Sequence, residues 1–171
     1  ISMSTGDENV SPVIDMQRAT LITVSNQIDK QSASPAAGFN VPINFVPETN
    51  PTGGSSAAKH ITKVTTLAQD AVGLKVFVSA NKPSLASFEV YYRVSSGDEL
   101  IKEQEWTLVN PESALISDEN PNTFREYTYL VGGSTGTLDA FNQMQLKVVM
   151  LSENSAKPPV FRDLRAIALS V

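Results

Sequence analysis

The chain of 171 residues contains no cysteine and a single histidine, and only 18% of its residues are charged. Without cysteine it has no disulfide and no thiolate chemistry. A Ser-His-Asp triad or a two-histidine metal site would have to use His60, which has no partner at metal-ligand spacing. We expect His60 to lie at the surface or at a strand edge. Small secreted domains often use disulfides, so the missing cysteines favour assembly in a cytoplasm.

Basic charge is also scarce. The 13 Lys and Arg residues are outnumbered by 18 Asp and Glu, and no two basic residues are adjacent. Nucleic-acid binding needs a basic stripe that displaces counterions from phosphates, so no nucleic-acid partner is expected. A basic amphipathic segment and an apolar run of ~18 residues are both missing, so we expect no membrane association.

Residues 1–10 have neither the basic start nor the apolar stretch of a signal peptide, so none is expected there. They are polar and predict a flexible tail, and the first residue is Ile1 where a complete chain would have Met. We therefore expect a fragment or a processed product. The length favours a single domain over residues 11–171. Within it, prolines and glycines predict an irregular connection over 31–59, with one brief strand near 41–46.

From His60 onward, apolar and polar residues alternate, the pattern of strands with one buried face. The alternation is clearest over 72–79, 88–94 and 144–150. Further strands are expected at 19–25, 61–67, 105–109, 124–131 and around Ile167 and Leu169. Asn, Pro and Gly clusters separate these segments as turns.

The alternation also predicts which side chains are buried. The expected buried row is Leu74, Val76, Val78, Phe88, Val90, Tyr92, Leu146 and Val148, with Glu89, Tyr91 and Arg93 on the opposite, outward face. About eight short strands without helical periodicity predict an all-β fold, an antiparallel jelly-roll-like β-sandwich.

Acidic residues give no recognisable catalytic or metal-binding pattern. The clusters at 7–9 and 118–120 lack the alternating oxygen ligands of a calcium loop, so solvated turns are expected. A glycosidase would need two carboxylates at a fixed separation, which a sequence cannot show for Glu89, Glu105 and Glu126. We therefore predict a protein that is not an enzyme and uses no cofactor and no metal.

Aromatic residues are the first candidates for a binding surface. Tyr91, Trp106 and Tyr127, with Tyr129, would form a sugar-stacking platform if they shared an open sandwich face. The alternative is that Trp106 and Tyr129 are core residues and that Tyr91 is an amphipathic surface or interface residue.

A second candidate surface is the Pro-rich segment 35–51. Its apolar residues, Phe39 and Phe45 among them, are too many for a purely solvated loop. It either forms an interface or folds back over its own sandwich.

Five charged residues lie inside otherwise apolar segments at the two ends of the chain: Asp15, Arg18, Arg162, Asp163 and Arg165. Charges in such surroundings usually pair, and the planar guanidinium of Arg suits carboxylates. One hypothesis is that the two segments lie close together and exchange an Arg–carboxylate pair. The other is that all five side chains face solvent.

The end segments themselves, SPVIDMQRATLITVSNQID (11–29) and KPPVFRDLRAIALSV (157–171), resemble blocks in virion structural proteins of marine contractile-tailed phages of the cyanophage type. Between them, the strand start at His60, the extended stretch 76–93 and Trp106 also match these baseplate, neck or tail modules. The resemblance covers most of residues 11–171 and brings no catalytic residues with it.

The resemblance implies a virion structural protein of the tail or baseplate, assembled in the host cytoplasm and acting through assembly contacts. Its partners would be other virion proteins and further copies of itself as a homo-oligomer. The alternative is a carbohydrate- or host-receptor-binding module on the same fold, with a glycan as its ligand. A sandwich hosts either function, so the fold alone does not decide between them.

Overall fold

The computed structural model describes residues 6, 9–15, 20–25, 28, 46–132, 138–154 and 156–170. Most of the expected tail 1–10, the expected strand at 41–46 except Val46, and both Phe39 and Phe45 lie outside these residues. The described strands are β1 (Val10–Asp15), β2 (Thr20–Ser25), β3 (Lys59–Ile61), β4 (Thr65–Ala71), β5 (Gly73–Asn81), β6 (Ala86–Ser95), β7 (Thr107–Val109), β8 (Arg125–Val131), β9 (Phe141–Ser152) and β10 (Val160–Leu169). One short 3-10 turn, Ile101–Glu103, precedes β7.

Two antiparallel sheets pack face to face. The three-stranded sheet has the order β10-β5-β8, and the five-stranded sheet has the order β3-β9-β6-β7, with β4 also pairing with β9. β1 and β2 form a separate antiparallel pair. The expectation of an antiparallel β-sandwich is therefore confirmed, while its jelly-roll connectivity stays a prediction.

The core between the sheets follows from the alternation of the sequence. Leu74, Val76 and Val78 lie on the inner side of β5, in the three-stranded sheet, and pack against residues of β6 and β9 in the other sheet. The buried row expected from the sequence is buried here, except that Tyr92 is only half-buried against the core. The tyrosines at 127 and 129 complete the inner row of β8.

Four strands differ from their sequence-based expectation. The segment 61–67 is two strands, β3 and β4, which both pair with β9. Between them, Thr62 still donates its amide to the Leu146 carbonyl at 2.9 Å. β1 was not expected, because Pro12 and Asp15 weigh against a strand. β10 was expected over 164–169 with Ile167 and Leu169 on its apolar side; it runs over Val160–Leu169, Ile167 is 52% exposed, and its pairing with β5 has a bulge at Arg162.

The two lateral sides of the sandwich differ. On one side, the chain passes from β7, which pairs with β6, to Pro111, which bridges Tyr129 of β8. Glu112 then donates its amide to the Thr128 carbonyl, so this segment joins both sheets. On the other side, a cavity of about 290 Å³ lies between β10 and the β3–β4 edge; its lining residues are Thr62, Thr65, Met144, Gln145, Leu146, Leu164 and Ala166.

Candidate assembly surface

Trp106 lies at the centre of a cationic cluster on the outer face of the five-stranded sheet. Its side chain is 1% exposed. The Arg93 guanidinium lies 4.2 Å from the ring centroid, and the Lys147 ammonium lies 4.9 Å from it. Lys147 also lies 4.6 Å from the ring centroid of Tyr91. Cations over aromatic faces are attracted by the ring quadrupole, most strongly over tryptophan.

A loop, residues 46–58, covers this cationic cluster. The Lys147 side chain, which is 0% exposed, donates to the Glu48 carboxylate at 3.0 Å and to the Gly53 carbonyl at 3.1 Å. Arg93 donates to the Pro51 carbonyl at 3.1 Å. Burial lowers the pKa of Lys147 more than the Glu48 carboxylate raises it. Both cations are therefore occupied in holding the loop to the sheet.

The candidate aromatic platform is not open in this structure. Tyr91, expected on the outward face, is 6% exposed because it packs with Trp106 and Val149, and its hydroxyl donates to Glu89 at 2.6 Å. Burial, with help from that carboxylate, raises the pKa of Tyr91. Tyr127 packs edge-on against Phe88 between the sheets. With Trp106 also enclosed, these rings present no face on which a sugar ring can stack.

Two of the carboxylates considered for catalysis lie on opposite faces of the sandwich. Glu89 lies on the outer face of the five-stranded sheet, and Glu126 lies on the opposite outer face, paired with Arg165. In the cluster 118–120, Asp118 and Asn120 accept amides of their own turn. In the described part of the chain, no group of three or more His, Cys, Asp or Glu residues could hold a metal ion.

Glu119, in the same acidic cluster, joins three loops at one end of the sandwich. Its carboxylate accepts the Ser84 amide at 2.8 Å and the Lys157 ammonium at 3.0 Å. The hydrogen bonds from Ser84 and Lys157 lower the pKa of Glu119 to about 2. His60, by contrast, is exposed on the edge strand β3, as the sequence indicated.

The charges of the C-terminal segment lie on β10. Arg165 pairs with Glu126 of β8 and with Asp163 at 2.6 Å, and Arg162 lies 5.8 Å from the ring centroid of Phe124. Asp15 ends β1, and Arg18 lies outside the described residues. The ion pair between the two end segments therefore stays a prediction.

The outer side of the three-stranded sheet carries a mixed aromatic, aliphatic and charged surface. The strand register places Arg165 of β10 beside Phe77 of β5, and Ile167 beside Lys75. The Lys75 ammonium and the Arg165 guanidinium lie 5.5 and 5.3 Å from the Phe77 ring centroid. Ile167 is 52% exposed. We call this surface the three-stranded face; its residues are Lys75, Phe77, Glu126, Asp163, Arg165 and Ile167.

β10 also forms the edge of that sheet. β5 is its only partner among the strands that the structure describes. An edge strand is a template on which another strand can pair, and proteins commonly protect it with charges or bulges. β10 has both, in Arg165 and in the bulge at Arg162.

No helix in the described ranges is long and apolar enough to cross a membrane. Comparisons with protein-family models, with curated proteins and with solved structures find no match to this chain.

Proposed function

We propose that this chain is a non-enzymatic structural protein of a phage virion, in the tail or baseplate, and that it acts through assembly contacts. The observation that carries the proposal is the three-stranded face, where Phe77 and Ile167 lie among Lys75 and Arg165. Arginine and aromatic residues are enriched at protein interfaces, and an aliphatic residue that is half exposed adds apolar area. The resemblance of the two end segments to virion modules supports the assignment to a phage virion and to partners that are other virion proteins.

The other outer face supports this choice of surface. There, Tyr91, Trp106, Arg93 and Lys147 contact one another and the covering loop 46–58, so their aromatic and cationic groups are already used within the chain. On the three-stranded face, Phe77 is half-buried between the cations of Lys75 and Arg165. A protein partner that packs on Phe77 would also meet charges of both signs, in Arg165 and Glu126.

A pull-down against purified tail components of a marine contractile-tailed phage tests the proposal. We expect the chain to retain at least one tail or baseplate protein, through an interface of at least ~1,000 Å². Phe77→Asn should weaken that binding by about tenfold or more, because a central aromatic side chain is a typical binding hot spot. Circular dichroism should confirm that the variant is folded.

Leu100→Asn is the matched control, because Leu100 is the most exposed large hydrophobic residue described and lies outside the three-stranded face. This variant should bind tail proteins as the wild type does. A chain that retains no tail protein and instead binds a ligand on a glycan array would replace the proposal with the receptor-binding alternative.

A further inference from the structure

The edge of β10 that faces away from β5 pairs with no strand in the described part of the chain, and its sequence is self-complementary. In order along the strand, Asp163, Leu164 and Arg165 place an acid and a base symmetrically about a leucine. Asp163 and Arg165 point to the outer side of the sheet, and Leu164 points inward, where it packs against the core and lines the cavity. A two-fold axis through Leu164 would bring each acid opposite the base of the other copy.

We propose that a second copy of this chain pairs its β10 antiparallel to this edge, with Leu164 opposite Leu164. The two three-stranded sheets then form one continuous sheet of six strands. Asp163 of each copy lies opposite Arg165 of the other, which gives two opposite-charge pairs across the new strand boundary. An interface that uses the same residues on both copies is the usual arrangement in homodimers.

Neighbouring registers lack this complementarity. An axis through Asp163 places two aspartates opposite each other, and an axis through Arg165 does the same with two arginines. Directly opposed like charges destabilise a strand pair. An axis through Ala166 places Arg165 opposite Ile167 and leaves both charges without a partner across the boundary. All these registers leave the inner residues of β10 facing inward, so burial does not distinguish them. The pairing of the outer charges does, and it favours the register with Leu164 opposite Leu164.

The cavity beside β10 also favours pairing with a second copy of the chain at this edge. It is lined by Met144, Leu146 and Ala166 as well as Leu164, and it lies between β10 and the β3–β4 edge. In the proposed pair, Leu164 of the second copy continues the inner row of β10 along this side. Apolar area that is half-exposed in one copy then becomes buried.

The bulge at Arg162 limits how tight this pair can be. It interrupts the edge just before Asp163, so regular pairing on both strands is confined to residues 163–165 and their immediate neighbours. We therefore expect a reversible dimer that forms as concentration rises. A virion component is held at high local concentration on its particle, which would favour such a weak dimer. The inference rests on the proposed function to this extent.

Sedimentation equilibrium over a concentration series tests the register. The wild type should dimerise, whereas Asp163→Arg and Arg165→Asp should each weaken dimerisation by about tenfold or more, because each places like charges opposite each other twice. A mixture of the two variants should form a heterodimer, since one strand then carries two bases and the other two acids. The double variant with both changes should dimerise again.

Lys75→Asp is the matched control: it makes the same charge change as Arg165→Asp on the same face, but on the central strand β5. It should dimerise as the wild type does. If a single variant fails to fold, the double variant decides, and a monomeric double variant overturns the proposal. A wild type that stays monomeric, or a mixture that forms no heterodimer, also overturns it.

The two proposals fail separately. A monomer that still retains tail proteins in the pull-down contradicts the β10 dimer and leaves the assembly function standing. A chain that dimerises in the expected register but binds no tail protein contradicts the virion function.

Discussion

A chain that ends at Pro159, and so lacks β10, should not fold cooperatively. β10 pairs with β5 over its whole length, and its inner residues Leu164, Ala166 and Ala168 pack against the core. Phe161 makes an edge-to-face contact with Phe88, with 5.0 Å between ring centroids. Burying a large apolar side chain contributes roughly 1.5–3 kcal/mol. Two such side chains and a strand of backbone hydrogen bonds together approach the ~5–15 kcal/mol that stabilises a typical domain.

Circular dichroism and thermal unfolding of the truncated chain measure this effect. Single variants in β10 should have smaller effects. Phe161→Ala should lower the free energy of unfolding by about 2–3 kcal/mol, since the aromatic contact and part of the core packing are lost. Ile167→Ala, on the exposed side of the same strand, should change stability by less than about 0.5 kcal/mol. A soluble protein that ends at Pro159 and unfolds cooperatively would contradict the role given to β10.

Lys147→Ala should reduce the free energy of unfolding by roughly 2–4 kcal/mol. It removes the ammonium that binds the Glu48 carboxylate and the Gly53 carbonyl, and it opens space beside Trp106. The expected loss is below that of a fully buried ion pair, because Lys59 remains 3.8 Å from Glu48. Urea unfolding measures the loss, and the transition should remain cooperative because the inter-sheet core is unchanged.

A double-mutant cycle separates charge from packing at this position. Lys147→Met keeps an apolar stem against Trp106 and Tyr91 but leaves Glu48 without its nearest cation. Adding Glu48→Gln removes the stranded charge and keeps an oxygen for the Ser56 amide, which now binds at 2.6 Å. The double variant should be more stable than Lys147→Met alone, with a coupling of about 1 kcal/mol or more. Additive effects would show that the ion pair does not hold the loop.

The sequence predicted those parts of the fold in which side-chain alternation alone decides burial. β5 and β6 follow from such alternation, and residues of the inner rows such as Val76 and Val90 are buried as expected, while Tyr92 is half-buried. The split between β3 and β4 was not predictable, since residues 62–64 contain no Gly, Pro, Asn or Asp that would signal a turn. Nor was β1, where Pro12 outweighed the apolar neighbours.

The outer face of the five-stranded sheet could not be predicted for a different reason. Tyr91, Arg93 and Lys147 alternate with core residues, which is the pattern of solvent-facing positions. They are buried because a loop that precedes them by about forty residues or more supplies carbonyl oxygens to the two cations. Alternation records only which side of the strand a residue occupies. The sequence held one hint of this buried cluster. Tyr91, Arg93 and Lys147 are large side chains at outward positions of neighbouring strands, and the chain has a single tryptophan, Trp106.

The candidate surface was predicted in part. The sequence singled out Arg162, Asp163 and Arg165, and all three lie on the edge strand β10. Their contacts depend on which strand lies next to β10, and that neighbour is β5, with β8 beyond it. Phe77 alternates with the buried residues Val76 and Val78, but the Arg165 guanidinium reaches its ring only through the register of β5 with β10.

The way in which loop 46–58 is anchored sets which of its positions can vary during evolution. Its contacts to the sheet run largely through backbone carbonyls, those of Pro51, Gly53 and Gly54 among them, and every amino acid supplies a carbonyl. Side chains such as Thr52 are therefore free to change, and the loop tip becomes a site at which foreign peptides can be inserted. Gly53 and Gly54 are exceptions, because their φ angles of +101° and +79° disfavour any other residue. Sequence variation should therefore be high at the loop side chains and low at the basic residues that bind the loop, Lys59, Arg93 and Lys147.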